Sequence, residues 1–272
     1  MTKTPLVSVV IPTHNRPDML CEAVASVQAQ TFTNYEIIVV CNGSSSDDLV
    51  RYAAIPDIRL IVTSCKGIGL ALNIGITAAQ GDWVAFLDDD DLWEPNKLET
   101  QLRVAESKHA DVIFCDVVSF GKGCKTTPPL RPPARLSTRE AFFLGNCGGG
   151  CSVAMVRRSA LLAVGGLDET LVSPDWDLWM RLSWHFNIAW MNEVLVRYRY
   201  HQGNTSKRMS VTIWSLRIIA KAFVTVPEPL KHMRIVLLKV AFKVLFTPIY
   251  IYLNELSLGR LSHFKREILK LQ

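Results

Sequence analysis

Asp82-Trp83-Val84-Ala85-Phe86-Leu87-Asp88-Asp89-Asp90-Asp91-Leu92-Trp93 is the stretch whose reading decides the fold. It joins an apolar run, too short for an ordinary helix and rich in strand-favouring residues, to a block of consecutive carboxylates. A strand interior does not tolerate such a block. The run therefore reads as a buried strand and the acids as the loop just past it, where open α/β sheets keep their ligand crevices. Two unit charges ~4 Å apart repel by about 4 kcal/mol at an effective dielectric near 20, against about 1 kcal/mol in water. A positive partner is expected. A hard divalent cation, Mg2+ or Mn2+, held by one or two carboxylates plus the phosphates of a substrate, is the least costly one. The alternative is a solvated acidic turn that caps a helix beginning near Pro95.

Upstream, Leu6–Ile11 reads as a buried parallel strand followed by Pro12-Thr13-His14-Asn15-Arg16-Pro17. Asn15 or Arg16 stands at the cap of a helix with Pro17 in its first turn, continued by Leu20, Val24 and Val27 at helical spacing. Glu36–Val40 is the next strand and ends in the turn-rich Cys41-Asn42-Gly43-Ser44-Ser45-Ser46. Ile58–Val62 is a third. It leads through Gly67-Ile68-Gly69 to a helix carrying Leu70, Leu72, Asn73 and Ile76, with Gly81 expected to close it. Alternating strands and helices imply βαβ units and a mostly parallel sheet. Right-handed crossovers then bring the loops after Ile11, Val40 and Leu87 to one carboxyl edge. A Thr/Asn loop, an Asn/Gly/Ser loop and an acidic loop on one edge suit a nucleotide, with small polar groups for base and ribose and a metal for the phosphates.

The second half starts beyond a Pro-rich connector, Lys122–Pro133, expected to lack regular structure and to separate a nucleotide half, 1–120, from an acceptor half, 134–206. Asn146-Cys147-Gly148-Gly149-Gly150-Cys151 reads equally as a flexible loop or as a close approach to substrate, and Ser152–Val156 reads as a strand. Gly165-Gly166-Leu167-Asp168-Glu169 marks a turn before Pro174-Asp175-Trp176-Asp177-Leu178-Trp179, where Trp176, Trp179, Met180 and Ser183 keep a helical rhythm. A carboxylate at a helix start is favoured by the macrodipole and by first-turn N–H groups. That accounts for one of Asp175 and Asp177. The other is available as a general base. Val194–Tyr200 reads as a strand with His201 directly after it, a position where a lone His is usually a surface residue.

With 272 residues, 49% apolar and 20% charged, the chain has room for a large α/β domain and a tail. The net charge of +5 is not gathered into a basic arm with interleaved aromatics, which argues against nucleic acid as a partner. Seven Cys without a CxxC pair indicate neither a disulfide framework nor a zinc site and fit a reducing cytosol. The N-terminal residues lack a signal-peptide layout.

Val9-Val10-Ile11-Pro12-Thr13-His14-Asn15-Arg16, Glu36–Val40, Phe86–Trp93 with Pro95, and Gly165–Glu169 followed by Asp175–Trp179 occur in this order, and together they resemble a family 2 glycosyltransferase of GT-A fold, of the bacterial cell-surface polysaccharide type. The resemblance spans residues 5–206. It implies inverting transfer of a sugar from a nucleotide-diphosphate donor to a hydroxyl of a saccharide or lipid-linked saccharide acceptor. Asp88 and Asp90 become the outer members of a DxD motif and metal ligands, with Asp89 near the ribose or phosphate. Asp175 matches the general base, and His201 matches a C-terminal His that holds metal or diphosphate in some relatives. Pro12, Thr13, Asn15, Arg16, Cys41, Asn42 and Asn73 fall on the nucleotide-sugar-binding segments. Three positions depart from the pattern. Cys41 and Leu72 stand where the family often has base-contacting Asp and Arg, and Pro174 replaces a Glu, which leaves the donor base open and keeps Asp177 as a second candidate base. A nucleotidyl- or phosphoryl-transfer enzyme and a non-catalytic nucleotide-sugar-binding protein are the competing readings.

Lys231–Leu253 is nearly long enough to span a bilayer, but Lys239 and Lys243 stand on one helical face, each costing roughly 2.5–3.5 kcal/mol at a membrane centre. Region 207–272 is therefore expected to form amphipathic helices lying on an anionic membrane surface, or else packed on the protein or on a second copy in a homo-oligomer. The expected location is cytoplasmic, peripheral on the inner membrane face.

Overall fold

The computed structural model describes residues 5–64, 66–124, 131–132, 136–171, 174–201 and 210–225, with isolated positions beyond. Every residue of β1 (Val7–Thr13) is buried, as expected of a central strand in a sheet covered on both faces. Helix α1 (Pro17–Gln28) starts with Pro17 in its first turn and Arg16 as N-cap, and turns Leu20, Ala23, Val24 and Val27 inward. The first half continues with β2 (Tyr35–Asn42), α2 (Ser46–Ala53), β3 (Arg59–Thr63), α3 (Ile68–Ala78) and β4 (Trp83–Phe86). Then follow β5 (Leu92–Trp93), α4 (Lys97–Ser107), β6 (Val112–Phe120), α5 (Thr138–Leu144), β7 (Ala154–Arg157), α6 (Arg158–Ala163), α7 (Asp175–His185), β8 (Ile188–Arg199) and α8 (Ser210–Thr225).

One eight-stranded sheet carries the order β3-β2-β1-β4-β7-β6-β8-β5. Strands β3, β2, β1 and β4 are parallel, as are β6 and β8, whereas β7 enters antiparallel between β4 and β6 and β5 pairs antiparallel with β8. The mostly parallel α/β sheet expected from the alternation is therefore present. Because β1, β2 and β4 share a direction, the ends at Thr13, Asn42 and Phe86 open on one edge.

Two local expectations are corrected. Helix α3 stops at Ala78 with Ala79 as cap, and Gly81 serves a different purpose. A Cβ on Gly81 would lie 2.8 Å from Ser8 N and 2.9 Å from Val7 C, so the glycine permits the chain to cross the backbone of β1. Ser152 and Val153 belong to a 3-10 turn, Cys151–Val153, and the strand begins only at Ala154. Beneath that segment lies an aromatic cluster. Phe114 meets Trp179 edge-on at 5.0 Å and stacks on Trp190 at 5.5 Å, with Phe142 5.8 Å from Trp190.

The described residues divide into two units, Met1–Val211 and Thr212–Gln272. No helix among them is long and apolar enough to cross a membrane. Most of the Pro-rich connector and the Lys231–Leu253 tail lie outside the described residues.

Gly81→Ala is expected to destabilise the protein by about 1–3 kcal/mol, because the obstructing atoms are backbone. Gly150→Ala, with nothing within 4 Å of the added carbon, is expected to be silent. Urea unfolding of the two variants beside the parent chain checks both.

Candidate active site

Strand β4 ends at Phe86, and the four carboxylates fall in the loop before β5. They are not a solvated turn: Asp89 and Asp91 are 6% and 2% exposed. Each acid has its own surroundings. Asp89 accepts a hydrogen bond from Thr13 Oγ1 at 2.8 Å and pairs with Arg16 at 3.0 Å. One oxygen of Asp90, Oδ2, meets both Arg16 NH1 at 2.9 Å and His201 Nε2 at 2.8 Å. Asp91 accepts from Ser152 Oγ at 2.7 Å and from the Arg199 backbone N–H at 3.0 Å. Asp88 donates its backbone N–H to Ser152 Oγ at 3.0 Å, while its buried Oδ1 has no partner among the described residues.

The positive partner that four adjacent acids demand is thus supplied in part by the protein. Arg16 comes from the first βα turn, and His201 follows the last strand of the sheet. Arg199 adds a clamp, since its Nε donates to the Asp90 carbonyl at 2.9 Å and its NH2 pairs with Glu22 at 2.6 Å. What remains is an excess of acid. Burial, then neighbouring Asp91, Asp90, Asp89 and Asp175, hold the Asp88 carboxyl well above the ordinary range. Burial likewise pushes Asp91 up to about 7, against the opposing hydrogen bonds from Ser152 and Arg199. Ligand atoms of Asp88, Asp90 and Asp91 lie within 4.8 Å of one another. Both Asp91 oxygens already hold donors, so Asp88, with its orphaned Oδ1, and Asp90 are the pair with capacity for a hard cation.

Facing the acids, α7 begins at Asp175. Asn146 Nδ2 donates to Asp175 Oδ2 at 3.0 Å, and burial raises the carboxyl above its ordinary value despite that bond and those from the first-turn N–H groups. Asp177 is engaged elsewhere. It pairs with Arg181 at 2.7 Å, and Arg181 also donates to the carbonyls of Val164 and Gly166. The two carboxylates left open by the sequence are thereby separated: Asp177 anchors the Gly165–Gly166 turn, and Asp175 faces the acids, whose charge Asp88 feels.

At the ends of β1 and β2, Asn15 has left-handed backbone (φ 53°) and ties two loops together through Ser44 Oγ and Ser45 N. His14 Nδ1 lies 2.7 Å from the Asn42 carbonyl, which can only accept, so that nitrogen carries the proton. Asn42 itself is half-buried and reaches the Gly67 carbonyl at 3.3 Å. Pro12 and Cys41 are buried. Asn73 is held within the fold. Its amide donates to the Leu167 carbonyl and to Glu169, and accepts from Leu167 N at 2.9 Å, which binds α3 to the Gly166 turn. Leu72 is fully buried core. Ser152, Asn146 and Arg199 were not anticipated, because a lone Ser or Asn in a loop and an Arg in a strand carry no periodic signal. Only the fold sets them beside the acids.

A sheet edge with a buried acidic loop, a basic residue from the first βα turn and a carboxylate at a facing helix start fits the GT-A fold expected from the sequence. Residues 8–165 match the family described as Glycosyl transferase family 2. The chain belongs to that family. An uncharacterized glycosyltransferase of Rickettsia typhi is 30% identical over 214 residues, covering 75% of this chain and 67% of that protein. One of Rickettsia bellii is 31% identical over 76% of this chain, which spans only 31% of that longer protein. The Escherichia coli UDP-Glc:alpha-D-GlcNAc-diphosphoundecaprenol beta-1,3-glucosyltransferase WfgD is 26% identical, covering 74% of this chain and 79% of that protein. Among solved structures, S. aureus TarS in complex with UDP-GlcNAc shares the fold with a TM-score of 0.70 at 16% identity, over 89% of this chain and 72% of that one. A Pyrobaculum calidifontis mannosyltransferase in complex with GDP-Man and Mn2+ does so with a TM-score of 0.66 at 18% identity, over 99% of this chain and 80% of that one.

The raised Asp88, Asp89 and Asp91 groups fix the sign of a pH effect. Their folded forms hold protons that an unfolded Asp releases near ~3.9, so stability is full below that value and is lost as pH rises through about 7. Melting temperature in EDTA is expected to fall from about pH 4 to about pH 7 and to recover on adding Mn2+ at pH 7. A flat profile in EDTA would count against the buried charge excess.

Proposed function

We propose that the protein transfers a sugar, with inversion, from a nucleotide-diphosphate donor to a hydroxyl of a saccharide or lipid-linked saccharide acceptor during cell-surface polysaccharide synthesis. The observation that carries the reading is the pairing of an incompletely neutralised acidic loop with Asp175 across the same crevice. Asp88 and Asp90 hold Mg2+ or Mn2+, with His201 bracing Asp90. The ion, when bound, neutralises charge on the diphosphate. Arg16 orients Asp89 and Asp90, and Thr13 fixes the second oxygen of Asp89. Asn15 and Asn42 shape the base and ribose end. Asp175 accepts the acceptor proton as its oxygen bonds to the anomeric carbon and the bond to the diphosphate breaks. A carboxylate whose affinity for protons is raised is a stronger base for this step.

Two E. coli relatives are named for a UDP-glucose donor and a diphosphoundecaprenol-linked acceptor, which supports a lipid-linked acceptor here. On this reading residues 1–206 are the catalytic domain and 207–272 a region that holds the enzyme on the cytoplasmic face of the membrane. Release of nucleoside diphosphate from a panel of nucleotide sugars with Mn2+ is the test. Asp90→Ala and Asp175→Asn are each expected to lower kcat by about 10²–10⁴-fold; turnover unchanged in both would sink the proposal.

A further inference from the structure

The loop Gly145–Gly150 contains three consecutive glycines, and the packing of Gly148 shows why the first of them is there. A Cβ on Gly148 would stand 3.0 Å from Phe114 Cζ and 3.0 Å from Trp179 Cδ1, so the residue is pressed onto the aromatic cluster. Trp179 Nε1 donates to the Gly149 carbonyl at 3.1 Å. The loop is thus seated on the sheet and on α7 rather than swinging free. Within it, Asn146 uses both ends of its amide. Oδ1 accepts from Gly148 N at 3.2 Å, while Nδ2 donates to the Gly149 carbonyl at 3.1 Å and to Asp175 Oδ2 at 3.0 Å.

We propose that Asn146 is the positioning residue of the catalytic carboxylate: seated through Gly148, its amide fixes the rotation of Asp175. The inference rests on Asp175 acting as the base. Asn146 is exposed and lies on a different element from Asp175, so nothing in α7 itself demands this contact. The other groups around Asp175 work against ionisation or are occupied. Asp88 of the acidic loop adds like charge, Cys151 is a buried thiol raised by burial and by both acids, and Asp177 on the same helix is bound to Arg181. Apart from the N–H groups of its own first turn, Asn146 is the donor the structure gives Asp175 among the described residues.

Asn146→Asp separates this role from a merely structural one. Aspartate still accepts from Gly148 N, but it loses the NH2 donor to both Asp175 and the Gly149 carbonyl and sets a second negative charge against Asp175, whereas Asn146→Ala loses the side-chain bonds without adding charge. The full chain is assayed for UDP-glucose hydrolysis with Mn2+ across pH, beside 13C NMR titration of the Asp carboxyl carbons, with the Asp175 resonance identified by its loss in Asp175→Asn. In Asn146→Asp and Asn146→Ala the Asp175 midpoint and the acid limb of kcat are expected to move up by about one pH unit, the scale of one hydrogen bond to a charged group. At pH 7 kcat falls more than KM changes. An unmoved Asp175 midpoint in Asn146→Asp overturns the proposal, whether or not UDP-glucose is turned over. Undiminished turnover in Asp175→Asn instead removes the base assignment on which it rests.

Discussion

Four carboxylates at the end of a buried strand set the terms for much of the surrounding structure. They are brought together by covalent adjacency and buried by the sheet, so their repulsion must be answered by groups from elsewhere in the chain. Arg16 comes from the turn after β1, Arg199 and His201 from the end of β8, and Ser152 from the turn before β7. Each contact ties a distant segment to the same loop. The acidic loop is therefore a structural hub, and on the proposed function it is also the phosphate end of the crevice, where its residual excess of negative charge would give a cation a place.

The roles within the run divide by hydrogen bonding, not by position. Asp91 has both oxygens satisfied and acts as a tie between β8 and the 3-10 turn. Asp89 is held by Thr13 and Arg16. Asp88 keeps an oxygen without a protein partner, at the cost of a proton affinity far above normal. The same economy appears across the crevice, where Asp177 is consumed by Arg181 and Asp175 keeps only donors that leave it basic. Burying a carboxylate with incomplete compensation is unfavourable for folding and useful for chemistry.

Membership of glycosyl transferase family 2 agrees with this division of labour, and the departures from the family pattern acquire a physical meaning. Cys41 and Leu72 are both fully buried and contribute to the core. The Gly166 turn is held from two sides, by Asn73 of α3 and Arg181 of α7, which links α3 to the helix that carries Asp175.

Much was legible from local pattern. Short β-branched runs bounded by turn residues located β1, β2 and β4, Pro17 marked the start of α1, and the abrupt change from Leu87 to Asp88 placed the acids in a loop, because backbone geometry and burial at those points depend on neighbours in sequence. Gly81 was misread for the opposite reason: its requirement comes from the backbone of β1, more than seventy residues away in the chain. The different partners of Asp175 and Asp177, the pairing of His201 with Asp90, and the contacts of Ser152, Asn146 and Arg199 were decided only by tertiary structure. Those assignments turn on which donor lies within about 3 Å of which oxygen. Sequence alone established that carboxylates would gather at this edge, and the fold established which of them stayed unsatisfied.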